Sequence, residues 1–355
     1  MSEAEEEPVM VTDQVNAAEG LNVEPMARWI EGLGIGVEPP LGFRRVGLGQ
    51  SNLTYLVTDE GGGRWVLRRP PLGHLLASAH DVAREHRILS ALQGTGVPVP
   101  TVHGLCEDPA VTDVPVMLMS FVEGAVLDAR ADAVRLDVGV RRALGPAVVG
   151  ALAEIHAVDL EKTGLVDLAS HKPYADRQLR RWSGQWEQSR TRDLPELDRL
   201  TARLRERSPD PAEIVLVHGD CHLRNVIFDP ADASIQAVLD WELSTLGDPL
   251  ADLGTLLAYW PQAGDPPTLR FDASEVSGFV SREELVQAYA SATGRDVSAV
   301  PFWHALGVWK VAIIMEGVRR RQLDEPRNVS ASGHFPAEAV DGIVAYAHAV
   351  LDGTL

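Results

Sequence analysis

Three side chains that carry oxygen atoms are spaced as a metal-assisted transfer reaction would require. Asp220 and Asn225 lie within the segment HGDCHLRN, and Asp240 follows the asparagine by fifteen residues in VLDWE. Phosphoryl transfer needs a metal to neutralise phosphate oxygens, oxygen ligands to hold that metal, and a carboxylate to orient the attacking hydroxyl. Mg²⁺ prefers hard oxygen ligands and retains several waters, so one carboxylate and one amide oxygen are sufficient. We therefore predict Asp220 as the catalytic base, and Asn225 and Asp240 as the metal ligands.

Short apolar segments rich in β-branched residues flank these three side chains and predict the strands that position them. The segments are residues 214–218, 225–228 and 235–241, and residues 230–233 supply a turn between the last two. Three such strands can place the oxygen-bearing side chains at one end of a small sheet. His218 opens the loop, and we expect it to brace the backbone rather than to act as a base.

The pattern HGD-x4-N followed by D-W-E resembles the aminoglycoside phosphotransferase and choline-kinase-like family, whose members are relatives of the protein kinases. The likeness covers roughly residues 40–350 and is most specific over 214–254. It implies an α+β, bilobal, protein-kinase-like fold with a small antiparallel β lobe and a larger, mainly helical lobe. It also implies an enzyme that uses ATP and Mg²⁺ to phosphorylate a hydroxyl group of a small molecule.

The landmarks of the sequence divide the chain into three parts. Residues 1–22 are expected to be an acidic, disordered tail. Residues 23–122 would then form the N-terminal nucleotide-binding lobe, and residues 123–355 the C-terminal lobe that carries catalysis and substrate binding.

The N-terminal third carries motifs to which the resemblance assigns nucleotide binding. A turn with the sequence GLGQSN, containing Gly49, Ser51 and Asn52, would let bare backbone approach phosphate groups closely. Arg68 stands where the family has a lysine that pairs with the phosphates. Glu85, seventeen residues later in a predicted helix, resembles the glutamate that positions this base. Arginine keeps the positive charge, but its planar fork is larger than an ammonium group.

The segment VPVMLMSFVEG, residues 114–124, resembles the linker between the lobes, where backbone groups bind adenine. That likeness implies contacts from the carbonyl group of Ser120 and the amide group of Val122, with Met119 lining the pocket. Met117 and Met119 could equally be ordinary core residues, and periodicity does not separate the two interpretations.

Three acidic residues near the second metal ligand are expected to support the site without touching the substrate. Glu242 ends VLDWE, and Asp248 and Asp252 belong to GDPLADLG, a segment that the family also has. Asp248 can cap a helix that begins near Pro249, because proline is favoured in a first helical turn. We expect Asp252 to hold the catalytic loop by hydrogen bonds.

Composition narrows the classes of partner. The 355 residues carry a net charge of −19, and nucleic-acid binding requires a basic surface, so nucleic acid is excluded as an expected partner. The acidity is spread along the chain, since residues 1–120 carry 8 basic and 16 acidic side chains and the rest carry 24 and 35. No apolar run is long enough to span a bilayer, and the N-terminus MSEAEEEP is unlike an import signal. We therefore expect a cytoplasmic protein without a membrane partner.

A nucleotide-binding pseudokinase that acts as a regulatory or interaction module is the alternative function. Arg68 in place of lysine favours it, as does Arg224 where the family often has glycine. The intact set of Asp220, Asn225 and Asp240 favours an enzyme. A dinucleotide-dependent oxidoreductase is excluded because the run GLGIG follows a predicted helix and precedes two prolines, whereas the dinucleotide motif lies between a strand and a helix.

The acceptor of the phosphoryl group is the least specified part of the prediction. VLRRPP and AHDVAREHRIL resemble the kinase-like domains that are joined to acyl-CoA dehydrogenases, so a hydroxyacyl-CoA and an aminoglycoside-like compound both stay open. The basic clusters at residues 180–181 and 319–321 are either solvated helix faces or sites for an anionic acceptor. Neither the nucleotide preference nor the oligomeric state is predicted.

Overall fold

The computed structural model describes seven stretches of the chain: residues 18–46, 52–72, 81–170, 172–210, 213–266, 272–325 and 335–354. They form two compact units. The first comprises the described residues up to Ser90 together with Thr101–Phe121, and the second comprises Ala91–Pro100 together with the described residues from Val122 onward. Residues 91–100 thus group with the second unit, although they precede the division that the sequence suggested.

The first unit is built on one antiparallel sheet. Its elements in chain order are α1 (Val23–Gly32), β1 (Gly42–Val46), β2 (Leu53–Thr58), β3 (Arg64–Arg69), most of α2 (Val82–Leu92), β4 (Val102–Cys106) and β5 (Val116–Ser120). The strand order is β1-β2-β3-β5-β4, with antiparallel pairing throughout. Strand β4 was not predicted, because its sequence VHGLC has neither a run of β-branched residues nor a regular alternation.

Alternation along β2 and β3 gives the sheet two different faces. One face packs in a core with Met26 and Ile30 of α1, both fully buried, and burial of such a side chain contributes about 1.5–3 kcal/mol. Residues of the strands on this face are Phe43, Leu53, Tyr55, Val57, Trp65, Leu67, Cys106, Val116 and Leu118. Arg68, one position beyond Leu67, therefore lies on the opposite face.

The second unit is mainly helical. Its elements are α3 (Arg130–Arg135), α4 (Val138–His156), α5 (Tyr174–Ser189), α6 (Pro195–Glu206), β6 (Val215–Val217), β7 (Val226–Phe228), β8 (Ile235–Val238), β9 (Thr245–Gly247), α7 (Pro249–Ala258), α8 (Arg282–Thr293), α9 (Val300–Asp324) and α10 (Ala337–Asp352). None of the described helices is long and apolar enough to cross a lipid bilayer.

The strands around residues 218–225, the predicted catalytic loop, pair differently from the single small sheet that the sequence suggested. β7 pairs with β8, but β6 pairs with β9, a strand that was not predicted. Residue 225 also lies in a short 3-10 turn, so β7 begins one residue later than expected. The single-sheet prediction is wrong because an apolar run shows that a segment is a strand, but it does not identify its partner.

Helices α7 and α9 touch through their backbones at two glycines. A Cβ atom on Gly254 would lie 2.3 Å from the carbonyl carbon of Trp303, and one on Gly307 would lie 2.7 Å from the carbonyl oxygen of Gly254. These distances exclude any side chain at either position. The close approach fixes α9 against α7, and both helices carry side chains that reach the catalytic loop.

Candidate active site

The catalytic loop joins β6 to β7 and contains Asp220 and Asn225. The side-chain amide nitrogen of Asn225 donates to the backbone carbonyl of Asp220 at 2.9 Å and to its carboxylate at 3.2 Å. The amide oxygen of Asn225 is the other end of the same planar group, which directs it away from Asp220. The structure thus brings the predicted base and one predicted metal ligand into direct contact. The amide oxygen of Asn225 is then the atom of this side chain that could bind a metal.

Asp220 lies in an environment that favours its ionised form. Its side chain is 26% exposed, and its carboxylate lies 3.6 Å from Nε2 of His222. Burial raises the pKa of Asp220, but the hydrogen bond and charge of His222, with the charge of Lys310, bring the pKa below its ordinary value. An ionised carboxylate at neutral pH can accept a hydrogen bond from an acceptor hydroxyl and orient it.

His218 is fully buried, and both of its ring nitrogens contact backbone. Nε2 lies 2.9 Å from the carbonyl oxygen of Leu239, and Nδ1 lies 3.3 Å from the amide nitrogen of Asp220. Because a carbonyl only accepts, the Nε2 atom must carry the proton, which leaves Nδ1 as an acceptor. Burial lowers the pKa of His218, which favours this neutral form. The ring connects the catalytic loop to the residue that precedes Asp240.

Asp240 follows β8 and adopts the left-handed conformation, with φ +65° and ψ +64°. Few residue types other than glycine tolerate this region, and aspartate and asparagine are among them. The amide of the preceding Leu239 donates to the carbonyl of Asn225 at 2.7 Å, so the backbones that carry the two predicted metal ligands are directly hydrogen-bonded. Glu242, half-buried, lies in the 3-10 turn that begins immediately after Asp240.

Asp252 lies fully buried under the loop and binds two consecutive backbone amides. Its carboxylate accepts from the amide of His218 at 2.6 Å and from the amide of Gly219 at 2.7 Å, and Nε2 of His156 lies 3.2 Å away. Burial raises the pKa of Asp252, but these hydrogen bonds and the nearby imidazoles lower it overall. Asp248, one turn earlier, caps α7 by accepting from the amide of Leu250 at 2.9 Å.

Sequence reasoning missed several side chains that surround the loop. His156 at the end of α4 links Asp252 to the hydroxyl of Tyr289, which lies 2.7 Å from its Nδ1. Lys310 of α9 donates to the carbonyl of Gly219 at 3.2 Å, and His222 packs edge-on against Tyr259 with ring centroids 4.6 Å apart. His222 stands inside the motif and its proximity to Asp220 could have drawn attention. For the others, no local signal indicates the contact.

In the first unit, Arg68 and Glu85 form an ion pair with 2.9 Å between Nε and Oε2. The side chain of Arg68 is 12% exposed and that of Glu85 is 2% exposed. Asn52 is also buried, and with its amide oxygen turned toward Arg68 it accepts from Nε and Nη2 at 3.2 Å each. These two partners hold the guanidinium in one orientation. Gly49 and Ser51 lie outside the described residues.

The predicted adenine-contacting residues lie partly on the same sheet face as Arg68. Met119 pairs with Val66 across β5 and β3, and Met117 pairs with Arg68, so all four share the face opposite the α1 core. Ser120 ends β5, and its hydroxyl accepts from the amide of Thr101 at 2.9 Å. Val122 groups with the second unit, so the first unit by itself presents Arg68, Met119 and Ser120.

The donor set of the second unit fits a hard divalent cation. In the described parts of the chain, no three His, Cys, Asp or Glu side chains are grouped as a metal site. Asn225 and Asp240 offer one amide oxygen and one carboxylate, which is the small oxygen set that Mg²⁺ accepts while it retains water and phosphate ligands. The residues present therefore fit Mg²⁺ and do not fit a transition metal held by His and Cys.

Comparison with known proteins identifies the family of this site. Residues 42–303 match the model of the phosphotransferase enzyme family. A curated relative, acyl-CoA dehydrogenase family member 10 of Mus musculus, is 36% identical over 307 residues. The alignment covers 84% of this chain but only 28% of the mouse protein, so the chain corresponds to a minor part of that relative. The expected similarity to kinase-like domains joined to acyl-CoA dehydrogenases is confirmed.

Solved structures confirm the expected α+β, protein-kinase-like fold. A protein from Ralstonia eutropha, provisionally described as an aminoglycoside phosphotransferase, is 30% identical with a TM-score of 0.74, over 94% of this chain and 97% of that one. A thermostable mutant of aminoglycoside phosphotransferase APH(4)-Ia, in a ternary complex with AMP-PNP and hygromycin B, has a TM-score of 0.59 over 92% and 98%. At 15% identity, this second likeness concerns the fold alone.

Proposed function

This chain belongs to the phosphotransferase enzyme family, and from that premise we propose that it transfers the γ-phosphoryl group of ATP to a hydroxyl group of a small molecule, with Mg²⁺ as cofactor. The observation that carries the proposal is the contact between Asp220 and Asn225, 3.2 Å apart through carboxylate and amide nitrogen. That contact fixes the Asp220 carboxylate and turns the amide oxygen of Asn225 to the other side, where it can bind a metal. A regulatory module that only binds nucleotide has no need of this arrangement.

Each residue of the proposed site has a chemical role. Asp220, ionised at neutral pH, accepts a hydrogen bond from the acceptor hydroxyl and aligns its oxygen for attack on the γ-phosphorus. As the new oxygen–phosphorus bond forms, the bond from the γ-phosphorus to the β–γ bridging oxygen breaks, ADP leaves, and Asp220 takes the hydroxyl proton. Asn225 and Asp240 would hold Mg²⁺. When bound, the metal would neutralise charge on the phosphate oxygens. Positioning and electrostatics supply most of the rate in this chemistry, and a base adds on the order of 10²–10⁴-fold.

Nucleotide binding is proposed for the face of the first unit's sheet that lies opposite the α1 core and carries Arg68 and Met119. Arg68 would pair with phosphate oxygens, and Glu85 with Asn52 keeps its guanidinium from adopting other orientations. A bidentate guanidinium can replace the ammonium of lysine in this role because both offer N–H donors and a positive charge. Met119 and the Ser120 backbone would bind the adenine base, together with Val122.

The acceptor is proposed to be a hydroxyacyl-CoA ester in preference to an aminoglycoside-like compound. The relative that is 36% identical is named as an acyl-CoA dehydrogenase family member, whereas the protein that binds hygromycin B shares 15% identity. An acyl-CoA acceptor would also suit the arginine clusters of the helical unit, since CoA carries several phosphates. The cytoplasmic location expected from the sequence stays a prediction.

The test is ATP consumption by the purified protein with Mg²⁺, in the presence of hydroxyacyl-CoA esters, aminoglycosides and other hydroxylated metabolites. We expect turnover with one hydroxyacyl-CoA class. Asp220→Asn should then lose turnover by about 10²–10⁴-fold while it retains nucleotide binding in calorimetry. Nucleotide binding without turnover for every acceptor would favour the pseudokinase, and full turnover in the Asp220→Asn variant would remove Asp220 from the base role.

A further inference from the structure

Lys310 is a buried lysine in the middle of helix α9, and its position requires an explanation. The chain has three lysines among its 32 basic residues, and Lys162 and Lys172 are both exposed. Lys310 is 8% exposed. Burial of an ammonium group costs several kcal/mol unless specific partners compensate for lost water, so the partners of Lys310 indicate its purpose.

The partners of Lys310 lie in the catalytic loop and on α5. Its Nζ donates to the carbonyl of Gly219 at 3.2 Å, and it lies 5.4 Å from the ring centroid of Trp182. Burial lowers the pKa of Lys310, whereas the carboxylates of Asp220 and Asp252 favour the charged form and Arg181 opposes it. Two acidic groups thus lie close enough to compensate part of the cost of burial.

The carbonyl that Lys310 binds belongs to the peptide group that joins Gly219 to Asp220. The amide of Gly219 is already held by Asp252 at 2.7 Å, and the amide of Asp220 faces Nδ1 of His218 at 3.3 Å. Gly219 has φ +84°, and a Cβ there would lie 2.8 Å from the carbonyl oxygen of Leu243. A glycine in this conformation has a flexible backbone, so external contacts must define its peptide planes.

We propose that Lys310 is a positioning residue for Asp220: its ammonium group fixes the plane of the Gly219–Asp220 peptide and places a positive charge behind the catalytic carboxylate. The inference rests on the proposed function, because a position for Asp220 matters only if that carboxylate orients an acceptor. The proposed role is to position Asp220, and it is separate from the nucleotide-binding and metal-binding roles proposed for Arg68, Asn225 and Asp240.

A lysine is better suited to this position than the arginine that the chain uses almost everywhere else. An ammonium is a compact point charge with three donors, whereas a guanidinium is a planar fork that needs more room. The ammonium group of Lys310 lies between the carbonyl of Gly219 at 3.2 Å and the ring of Trp182, whose centroid is 5.4 Å away. The substitution Lys310→Arg should therefore keep the positive charge but displace the loop that contains Gly219 and Asp220.

The first experiment compares three variants of the full chain under the ATP-consumption assay with Mg²⁺. Lys310→Met removes both the donor and the charge at similar length, Lys310→Gln keeps a donor, and Lys310→Arg keeps the charge. Lys162→Met is the matched control, since the Lys162 side chain is 84% exposed and pairs with Asp159. Circular dichroism and thermal melting verify that each variant is folded.

We expect Lys310→Met to lower kcat by roughly 10–100-fold with KM for ATP changed by less than about threefold, because a displaced Asp220 would align the acceptor hydroxyl less well in the transition state while the nucleotide site is unchanged. Lys310→Gln should recover part of the rate, and Lys162→Met should behave as wild type. An unchanged kcat, or a KM increase at constant kcat, would overturn the proposal. So would a rate loss in Lys310→Met that merely tracks its folded fraction.

The second experiment does not depend on turnover. With lysine labelled by ¹³C at Cε, the protein gives three signals, one of which is lost in Lys310→Met and thereby assigned. Asp220→Asn should shift the Lys310 signal and leave those of Lys162 and Lys172 in place. If the Lys310 signal has the same chemical shift in wild type and in Asp220→Asn, the positioning contact is refuted. A wild-type protein that consumes no ATP with any acceptor refutes the proposed function, and the inference built on it, whatever the NMR result.

Discussion

Replacement of Asp252 by alanine should destabilise the protein by about 3–5 kcal/mol. The carboxylate accepts from two buried backbone amides at 2.6 and 2.7 Å and from His156 at 3.2 Å. Hydrogen bonds to a charged group contribute about 1.5–3 kcal/mol each, so the two short bonds account for roughly 3–6 kcal/mol. Water that enters the vacated space recovers a part of this, which gives the expected range.

Urea unfolding followed by tryptophan fluorescence and circular dichroism measures this loss. Asp248→Ala is the matched control, because Asp248 is also a buried acid of the same segment but caps the helix by accepting from the amide of Leu250, and cap removal costs about 0.5–2 kcal/mol. Asp252→Asn retains one acceptor oxygen and should fall between the two. Equal midpoints for Asp252→Ala and Asp248→Ala, with equal slopes, would refute the reasoning.

The stability that Asp252 contributes should depend on pH. The pKa of Asp252 is lowered in the folded protein, so its contribution to stability is present above the unfolded pKa of about 3.9 and disappears as pH falls through the folded value. The stability difference between wild type and Asp252→Asn should therefore be constant at neutral pH and shrink only below about pH 4. A difference that already shrinks between pH 8 and pH 6 would contradict this assignment.

Three further predictions concern other groups. Asp240→Asn keeps a residue that tolerates positive φ but removes the charge, and it should weaken Mg²⁺-dependent ATP binding by at least about tenfold without affecting metal-free binding, as calorimetry with and without Mg²⁺ would measure. Glu85→Gln removes the buried carboxylate from Arg68 and should weaken ATP binding by about tenfold. Asp113→Asn, which removes an exposed acid that pairs with the neighbouring Arg69, should leave ATP binding unchanged. Similar effects of the two changes would count against the Arg68 site. Burial lowers the pKa of His304 to about 3. Between pH 6.5 and pH 3 the histidine is therefore protonated in the unfolded chain but neutral in the folded protein. The free energy of unfolding should fall by up to about 1.4 kcal/mol for each unit by which the pH is lowered in this range. His304→Gln should flatten that part of the curve, and parallel curves for the two proteins would disprove the assignment.

The short-range arrangement of the candidate site could be predicted from the sequence. Asp220 and Asn225 are five residues apart, so their contact depends on one loop, and the strand and helix patterns beside them are also local. The pairing of Arg68 with Glu85 was expected from the family resemblance, and the structure shows it as an ion pair. These features share a short separation in the chain or a motif that marks both partners.

Long-range contacts were not predictable from the sequence. Lys310 contacts Gly219 across 91 residues, and His156 contacts Asp252 across 96. Nothing in the residues around either partner marks the other, because the contact arises from how α4, α7 and α9 pack. The pairing of β6 with β9 could not be predicted for the same reason. The packing of the whole unit determines which strands pair, and apolar periodicity carries no information on the partner.

The four-residue spacing from Asp248 to Asp252 has a practical consequence for engineering the chain. Because the first residue starts α7 and the second binds the loop one turn later, one inserted residue between them would rotate Asp252 by about 100° around the helix axis. Deletions and insertions should therefore be avoided throughout that turn. Residues 230–232, by contrast, are exposed and hydrogen-bond within their own hairpin, so an epitope or fluorescent reporter is best inserted there.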